Sequence, residues 1–311
     1  MTIGVGIGLA ECPFEDGAGF WRWVDMCEAG GVDSIWQTDR LISHHSMLEC
    51  MSVMAALAGR TKRLRFGMNV VSLAIRDPIL CAKQCATIDF LSGGRILPAF
   101  GIGSPLAPEW RALGLQKETR GKVTDEALDI ILKLWTADQV DFEGQHFTLR
   151  GASISPKPVQ QELPMWIGGS SSAAIARTAR FGTGWIGGLE TPAESAKIVA
   201  RIRQAVTAAK RTIDDDHYGA GFPFYFGKAS DAVLDAPIAA YRKRSRADPA
   251  DYFAIGDADD IVQRISEYVA AGLSKFIVRP LAVDEPFVLD QTSWLIREVL
   301  PKVRARFSGN L

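Results

Sequence analysis

Eight short runs of β-forming residues alternate with longer segments of helical periodicity, and this alternation limits the possible folds more than any other feature. The runs cover residues 3–9, 34–36, 65–71, 95–100, 165–167, 184–186, 221–226 and 275–278. Helices are predicted near 19–28, 48–58, from 77 onward, 122–135, 172–181, 193–210, 258–271 and 291–306. Strands that alternate with helices form parallel sheets, and eight such units favour a closed (β/α)8 barrel, the TIM barrel.

One domain of residues 1–311 accommodates all eight units, because barrels of this kind commonly reach about this length. Insertions are predicted near 137–163, where residues 140–149 alternate as a small hairpin, and near 228–256. An open, doubly wound sheet is the alternative. It would need a dinucleotide-binding turn after the first strand, whereas Gly4, Gly6 and Gly8 lie within that strand.

The charge balance disfavours two classes of partner. The chain has 35 Lys and Arg against 36 Asp and Glu, so no global field attracts nucleic acid or an anionic membrane surface. No window approaches the roughly 20 apolar residues of a membrane span, and no basic segment precedes a long apolar run at the N-terminus. The five cysteines form no C-x-x-C pair, which favours a reducing compartment over a metal site. We therefore expect a cytoplasmic protein without a metal ion.

In a TIM barrel, the functional residues lie where strands end and βα loops begin. Residues at such positions are Asp39 and Arg40, Asn69 and Val70, Gly101 and Gly103 with Glu109, Gly168 to Ser171, and Gly187. Glycine recurs among them, and a backbone without side chains lets a planar or phosphorylated ligand approach closely. These residues are the candidates for a ligand site.

The segment Gly168-Gly169-Ser170-Ser171 is the strongest indication of a ligand. It lies where the fifth strand becomes the fifth helix, so free backbone N–H groups face outward and the serine hydroxyls add donors. A phosphate group is the favoured occupant. The alternative is that serine only caps the helix, since it is a preferred N-cap residue.

Signatures of several other enzyme classes are missing from the sequence. The histidines (His44, His45, His146 and His217) have no zinc-binding spacing, and neither a G-x-S-x-G turn nor a Walker A loop occurs. Lys275 opens a strand instead of ending one, which disfavours Schiff-base chemistry in a barrel. Hydrolase, kinase and aldolase interpretations are therefore disfavoured.

A series of motifs spans nearly the whole chain. They are Gly31-Val32-Asp33-Ser34-Ile35-Trp36, the segment 65–78, the pattern T-x-D-x-L-S-G-G-R at 87–95, Gly101-Ile102-Gly103 with Glu109, Pro164-Met165-Trp166-Ile167-Gly168-Gly169, and Ile255-Gly256-Asp257. In this order they resemble the motifs of the bacterial luciferase-like flavin-dependent oxidoreductases. The pattern at 87–95 is highly specific, whereas G-x-G alone is not.

The resemblance implies a TIM-barrel enzyme that binds FMN or the deazaflavin coenzyme F420. Such enzymes oxygenate a small organic substrate with reduced flavin and O2, or pass a hydride to or from the deazaflavin. The first expectation is a monooxygenase that uses FMN, supplied by a separate flavin reductase. The alternative is an F420-dependent hydride transfer. A homo-oligomer is expected in either case.

The resemblance also implies roles for the strand-end residues. The cofactor ring is expected near Asn69, Val70 and Gly101, with a cis peptide bond between Asn69 and Val70, and the phosphate on 168–171. Further cofactor-binding candidates are Asp39, Gly103 and Gly187. Glu109 matches an acidic position near the cofactor and is a candidate proton donor or ligand. Substrate contacts are expected from the loops 44–47 and 228–253.

Arg40 departs from the family pattern, in which a histidine often follows the aspartate and acts as acid or base. Either His44 or His45 takes over the proton transfer, or Arg40 pairs with a reduced flavin anion or a substrate carboxylate. Two other classes stay open. The missing histidine suggests a non-catalytic flavin-binding protein, and the anion site alone suggests a phosphosugar isomerase or aldolase-type barrel.

Overall fold

The computed structural model describes residues 2–281 and 284–307. Its main sheet contains eight parallel barrel strands: β1 (Gly4–Leu9), β2 (Ser34–Gln37), β3 (Arg65–Met68 and Val71–Ser72), β4 (Ile96–Leu97 and Ala99–Gly101), β5 (Trp166–Gly168), β6 (Gly184–Gly187), β7 (Tyr218–Phe226) and β8 (Lys275–Pro280). Each strand pairs with its neighbours in chain order. Val5 of β1 pairs with Phe276 of β8, so the sheet closes on itself. The predicted (β/α)8 architecture is confirmed.

Helices follow the strands along the chain: α1 (Gly17–Gly30), α2 (Cys50–Arg60), α3 (Pro78–Ser92), α4 (Arg120–Thr136), α5 (Ser172–Phe181), α6 (Pro192–Ala208), α7 (Ala258–Ala270), α8 (Glu285–Trp294) and α9 (Leu300–Phe307). The helix starts carry local signals. Asp77 accepts a hydrogen bond from the Leu80 N–H at 2.8 Å, and Pro78 occupies the first turn of α3. Thr191 and Glu194 form a capping box on α6.

The structure departs from the sequence prediction in four places. The Asn69–Val70 peptide bond interrupts β3, and β7 begins at Tyr218 instead of residue 221. The last helical segment begins six residues early, because Asp284 accepts a hydrogen bond from the Phe287 N–H and caps α8. The insertion after β7 contains a short strand, Ala254–Gly256, that pairs with β7 and was not predicted. The predicted hairpin is present as Val140–Glu143 and Thr148–Ala152.

Two tryptophans fill the interior of the barrel. Trp36 and Trp166 meet edge to face with ring centroids 6.5 Å apart. Glycines on the neighbouring strands make room for them: a Cβ added to Gly67 would lie 2.5 Å from the Trp36 ring, and one on Gly184 would lie 2.8 Å from the Trp166 ring. The barrel is therefore a packed core below its mouth, not an open pore.

One helix of the outer layer exposes large apolar side chains. They are Ile79, Leu80, Phe90 and Leu91 of α3. Exposed apolar groups collected in one place are typical of contacts between proteins, and the expected homo-oligomer stays a prediction. In the described part of the chain, no helix combines the length and the apolar character that crossing a membrane requires.

Candidate active site

The predicted ligand-binding residues gather at one end of the barrel. Because all eight strands are parallel, their carboxyl ends share one rim. Phe100 pairs with both Val71 and Ile167, and Gly168 pairs with Ile186, so the ends of β3, β4, β5 and β6 adjoin in that order. The rim therefore brings together Asn69, Val70, Gly101, Gly168 and Gly187, which are far apart in the sequence.

Val70 forms part of the floor of this mouth. The Asn69–Val70 peptide bond is cis, as predicted. A Cβ added to Gly101 would lie 2.7 Å from Val70 Cγ2, and one on Gly168 would lie 3.1 Å from both Val70 methyl groups. In the structure the Val70 side chain lies against both glycines, so a ligand in the mouth would meet Val70. The predicted contact of Gly101 and Gly168 with a cofactor stays a prediction.

The two serines in the turn between β5 and α5 make different contacts. Ser171 is the N-cap, since its hydroxyl accepts a hydrogen bond from the Ala174 N–H at 3.2 Å. The Ser170 hydroxyl makes no hydrogen bond to another described residue. Gly169 has a φ of 106°, which side chains rarely allow, and its carbonyl accepts a hydrogen bond from Trp185 Nε1 at 2.8 Å. Ser171 thus fits the capping interpretation, while Ser170 and the exposed Gly169 remain open to an anion.

A cavity of about 230 Å³ lies beside this turn. It is lined by Phe100, Gly101, Ile102, Thr124, Leu128, Ile167, Gly168, Gly169, Ser170, Ser171, Ala174 and Arg177. The cavity therefore continues from the end of β5 into the space between α4 and α5.

Asp39, predicted to bind the cofactor, forms an ion pair with an arginine. Its buried carboxylate accepts hydrogen bonds from Arg76 Nη2 at 2.6 Å and from the Ser72 N–H at 2.9 Å. Arg76 also binds Glu49 at 2.9 Å. Burial opposes ionisation of Glu49, but hydrogen bonds from Ser52, Met51 and Arg76 outweigh it and lower its pKa to about 2. The Asp39 carboxylate is thus fully engaged in joining the loop after β2 to the end of β3.

Arg40 and Glu109, both predicted as catalytic, meet in the structure. Glu109 is buried, and its Oε1 accepts hydrogen bonds from the N–H groups of Leu41 at 3.1 Å and Ile42 at 3.3 Å. Its Oε2 has no hydrogen-bond partner among the described residues and lies 3.9 Å from Arg40 Nη1. The Arg40 side chain is 38% exposed, so it pairs with a buried carboxylate while still reaching solvent.

The two histidines proposed as substitutes for the family histidine lie elsewhere. His44 and His45 are exposed on the loop after β2. His45 Nδ1 lies 3.3 Å from a carboxylate oxygen of Glu11. Neither histidine has a polar contact with Arg40 or Glu109. The structure therefore brings Arg40 to Glu109 and leaves both imidazoles outside this pair.

Arg279 is a cation at the mouth that the sequence analysis missed. Side chains alternate along β8, so Arg279 shares the inward face of Ile277, which packs among the interior tryptophans. Its Nη2 donates to the Tyr252 hydroxyl at 2.5 Å, and a Cβ on Gly221 would lie 2.6 Å from its Nη1. Burial raises the pKa of Tyr252. The sequence could have revealed this residue, because extending the predicted strand 275–278 by one residue places Arg279 inside the barrel.

Two other predicted glycines support the rim. Gly103 has a φ of 75°, and a Cβ there would lie 3.0 Å from the Trp110 ring. Gly187 is buried at the end of β6, and a Cβ there would lie 2.9 Å from the Trp185 ring. Both positions need glycine for packing or backbone conformation, and their contact with a cofactor stays a prediction.

Comparison with protein families gives one match over most of the chain. Residues 10–275 fit the model of a family described as luciferase-like monooxygenase. An uncharacterized protein of Mycobacterium tuberculosis is 34% identical over 166 residues, which is 53% of this chain and 56% of that protein. The chain thus matches little more than half the length of that relative. An F420-dependent glucose-6-phosphate dehydrogenase of Amycolatopsis mediterranei is 27% identical over 315 residues, covering 89% of this chain and 92% of that enzyme.

Solved structures have the same fold at low sequence identity. An F420-dependent secondary alcohol dehydrogenase in complex with an F420-acetone adduct superposes with a TM-score of 0.82 at 18% identity, over 98% of this chain and all of the other. The long-chain alkane monooxygenase LadA superposes with a TM-score of 0.77 at 16% identity, over 98% of this chain and 92% of the other.

Proposed function

The chain belongs to the luciferase-like monooxygenase family of oxidoreductases, and from this premise we propose that it transfers a hydride between coenzyme F420 and a small organic substrate. The observation that carries the proposal is the alignment with F420-dependent dehydrogenases over nine-tenths of both chains. F420 would supply the hydride-accepting or hydride-donating ring. The chain's own residues would bind the phosphate of F420, position the substrate, stabilise negative charge and transfer protons.

The residues at the turn between β5 and α5 fit a phosphate ester. Gly169 leaves the approach free of a side chain, Ser170 offers an unengaged hydroxyl, and the helix start offers N–H groups. Gly169 and Ser171 are exposed. A phosphate there can therefore carry a further chain out into solvent, as the phosphodiester of F420 requires.

Arg40 and Glu109 have different roles in the proposed reaction. An arginine stays protonated at any working pH, so Arg40 stabilises negative charge and does not exchange protons. Glu109 Oε2 is a buried acceptor without a hydrogen-bond partner among the described residues, so it can take or return the proton of a substrate hydroxyl. Its other oxygen is held by two backbone N–H groups, which fixes the direction in which Oε2 points.

Arg279 adds a second positive charge at the mouth. Its hydrogen bond to Tyr252 holds the guanidinium in place without neutralising it, because the hydroxyl is uncharged. Arg279 favours a substrate that carries or develops negative charge on oxygen, such as an alcohol oxidised to a carbonyl, whereas the charge of Arg40 is opposed by the Glu109 carboxylate 3.9 Å away. The proposed substrate class is therefore small alcohols or carbonyl compounds with further oxygen groups.

A monooxygenase that uses reduced FMN and O2, supplied by a flavin reductase, is the second candidate. The description of the family and the fold shared with the alkane monooxygenase favour it. The glycine and serine residues around the phosphate position serve FMN as well as F420.

Titration of the purified protein with F420 and with FMN tests the proposal. We expect F420 fluorescence to be quenched on binding, with an affinity at least about tenfold higher than that for FMN, a difference of about 1.4 kcal/mol. Consumption of O2 with reduced FMN, together with no binding of F420, would establish the second candidate. Binding of neither cofactor would reject both.

A further inference from the structure

Three tyrosine hydroxyls hold the loop that follows β6, residues 188–190, which we call the β6 loop. In chain order, its three carbonyls accept hydrogen bonds from Tyr252 at 2.7 Å, from Tyr241 at 3.3 Å and from Tyr268 at 2.7 Å. The Glu190 carboxylate accepts from the two preceding backbone N–H groups at 2.7 and 3.0 Å. All three carbonyls of the β6 loop are therefore bonded, and the loop is fixed against the elements around it.

Two of these tyrosines belong to the insertion after β7. Tyr241 lies in a short helix, Asp235–Arg242, and Tyr252 follows the turn at 249–251. Their rings stack, with centroids 4.6 Å apart and an interplanar angle of 7°. Tyr252 is 1% exposed. The stacking and the burial leave the Tyr252 hydroxyl in one position, so the insertion determines where this hydroxyl lies.

The Tyr252 hydroxyl also contacts the neighbouring strands. It accepts a hydrogen bond from Arg279 Nη2 of β8 at 2.5 Å, and it lies 3.0 Å from the Gly221 carbonyl of β7. A hydroxyl donates one proton and accepts on its lone pairs, so it can bind the guanidinium and a carbonyl at the same time. A hydrogen bond from a cation also strengthens the one that the hydroxyl donates. A single oxygen thus joins the β6 loop, β7 and β8.

Arg279 has few other constraints on its orientation. It is partly buried, and in the described part of the chain it has no carboxylate partner and no hydrogen bond besides the one to Tyr252. Arg76, by contrast, pairs with two carboxylates. On the other side of the Arg279 guanidinium, a Cβ added to Gly221 would lie 2.6 Å from Nη1. Because an arginine has many rotamers, the Tyr252 hydroxyl and the space at Gly221 together select the one that is seen.

We propose that Tyr252 is a positioning residue for the substrate: by orienting Arg279, it sets where in the barrel mouth a negatively charged oxygen of the substrate binds. The insertion after β7 then determines substrate specificity through one hydroxyl that does not touch the substrate. Because the same hydroxyl holds the β6 loop, this loop and Arg279 keep a fixed separation. The inference rests on the proposed function only in that the substrate is one of the proposed alcohols or carbonyl compounds.

The Tyr252→Phe variant tests this proposal, since it removes the hydroxyl and keeps the ring that stacks on Tyr241. The probes are lactate and 2-propanol, which share a secondary hydroxyl, while lactate alone carries a carboxylate. We expect the KM for lactate in F420 reduction to rise about tenfold with little change in kcat, because the carboxylate loses a well-oriented charge-assisted hydrogen bond. The KM for 2-propanol should stay unchanged. Crystal structures of the wild-type protein and the variant should show the Arg279 guanidinium displaced.

Tyr268→Phe is the matched control. It removes an equally buried hydroxyl that holds the same loop, from a ring stacked on Phe222, and this hydroxyl has no contact with Arg279 among the described residues. Both variants should lower the melting temperature by similar amounts, but only Tyr252→Phe should change the KM for lactate. In an Arg279→Met background, Tyr252→Phe should not raise this KM further, because Tyr252 acts through Arg279.

Gly221→Ala disturbs the same guanidinium from its other side and leaves Tyr252 in place. The new methyl group meets the far end of a flexible side chain, so we expect this variant to fold normally. The KM for lactate should again rise while that for 2-propanol stays unchanged. This variant keeps the proposal testable if Tyr252→Phe does not fold.

The structures and the kinetics decide together. A displaced Arg279 with a loss confined to lactate supports the proposal. An Arg279 that keeps its wild-type position in Tyr252→Phe overturns it, and so do equal changes of the lactate KM in Tyr252→Phe and Tyr268→Phe. If the wild-type protein reduces F420 with neither alcohol, the proposed substrate class fails, and the position of Arg279 in the variant still decides the role of Tyr252.

Discussion

The absence of a side chain on Gly101 is what lets Val70 extend across the end of β4, since a Cβ there would lie 2.7 Å from Val70 Cγ2. Val70 lies against Gly168 in the same way, at 3.1 Å from the position of a Cβ. The floor of the barrel mouth therefore depends on two glycines that neither bend the chain nor adopt a positive φ.

Gly101→Ala should displace Val70 and reshape the floor. We expect a loss of about 1–3 kcal/mol in the free energy of unfolding, typical of overpacking, together with weaker cofactor binding. Denaturant unfolding and F420 titration measure the two effects. The Val70→Ala, Gly101→Ala double variant should lose less than the sum of the single variants. Gly59→Ala, with open space around the new methyl group in α2, should instead stabilise by about 0.5–1 kcal/mol.

Arg76→Met should be strongly destabilising, because it leaves the buried Asp39 carboxylate without its cation. The expected loss is about 3–5 kcal/mol. Arg60→Met removes a comparable contact with Asp25 at the surface, where both side chains are about half exposed, and should change stability by less than about 1 kcal/mol. Equal losses for the two variants in chemical denaturation would contradict the importance assigned to the buried pair.

Acid should weaken the fold partly through Glu49. Its pKa is lowered from 4.5 to about 2 in the folded protein, so its stabilising effect is complete above pH 4.5 and disappears as the pH falls toward 2. Glu49→Gln should flatten the pH dependence of the melting temperature in that window. The same change at the exposed Glu143 serves as the control, and a wild-type slope in Glu49→Gln would count against this assignment.

Arg40 and Glu109 should affect activity more than stability. Arg40→Ala should weaken binding of the reduced cofactor or the substrate, with only a small fall in the melting temperature, since Arg40 is partly exposed and lies as far as 3.9 Å from the buried Glu109 carboxylate. Glu109→Gln keeps an oxygen for the Leu41 and Ile42 N–H groups but cannot accept a proton, so kcat should fall by about 10²–10⁴. A Glu109→Gln enzyme with wild-type turnover would place the proton transfer elsewhere.

Ser170 and Ser171 should give opposite results when each is replaced by alanine. Ser171→Ala removes the N-cap and should cost about 1 kcal/mol of stability with little effect on binding. Ser170→Ala should weaken FMN or F420 binding without changing the melting temperature, and Gly169→Val should obstruct the site sterically. Riboflavin, which lacks the phosphate, should respond to neither serine variant. Loss of affinity in Ser171→Ala alone would reverse the assignment of the two roles.

The sequence by itself determined the architecture and the location of the candidate site. Strand and helix periodicities, and helix starts such as Asp77-Pro78 and Ser171, depend on residues close together in the chain, so α5 lies where it was predicted. Parallel βα order then forces the strand ends onto one rim. The β5–α5 turn, the cis peptide at Asn69–Val70 and the barrel itself followed from these local patterns and from the family resemblance.

Only the tertiary structure decided which side chains meet at that rim. Asp39 forms an ion pair with Arg76, Arg40 lies close to Glu109, and Val70 packs against Gly101. These pairs meet because strands distant in sequence become neighbours when the barrel closes. Arg279 and the cavity that holds Thr124 likewise depend on which faces of β8 and α4 point inward. Periodicity specifies a face only relative to its own element. Which side chain of another element that face meets is set by packing between elements, and no local pattern encodes it.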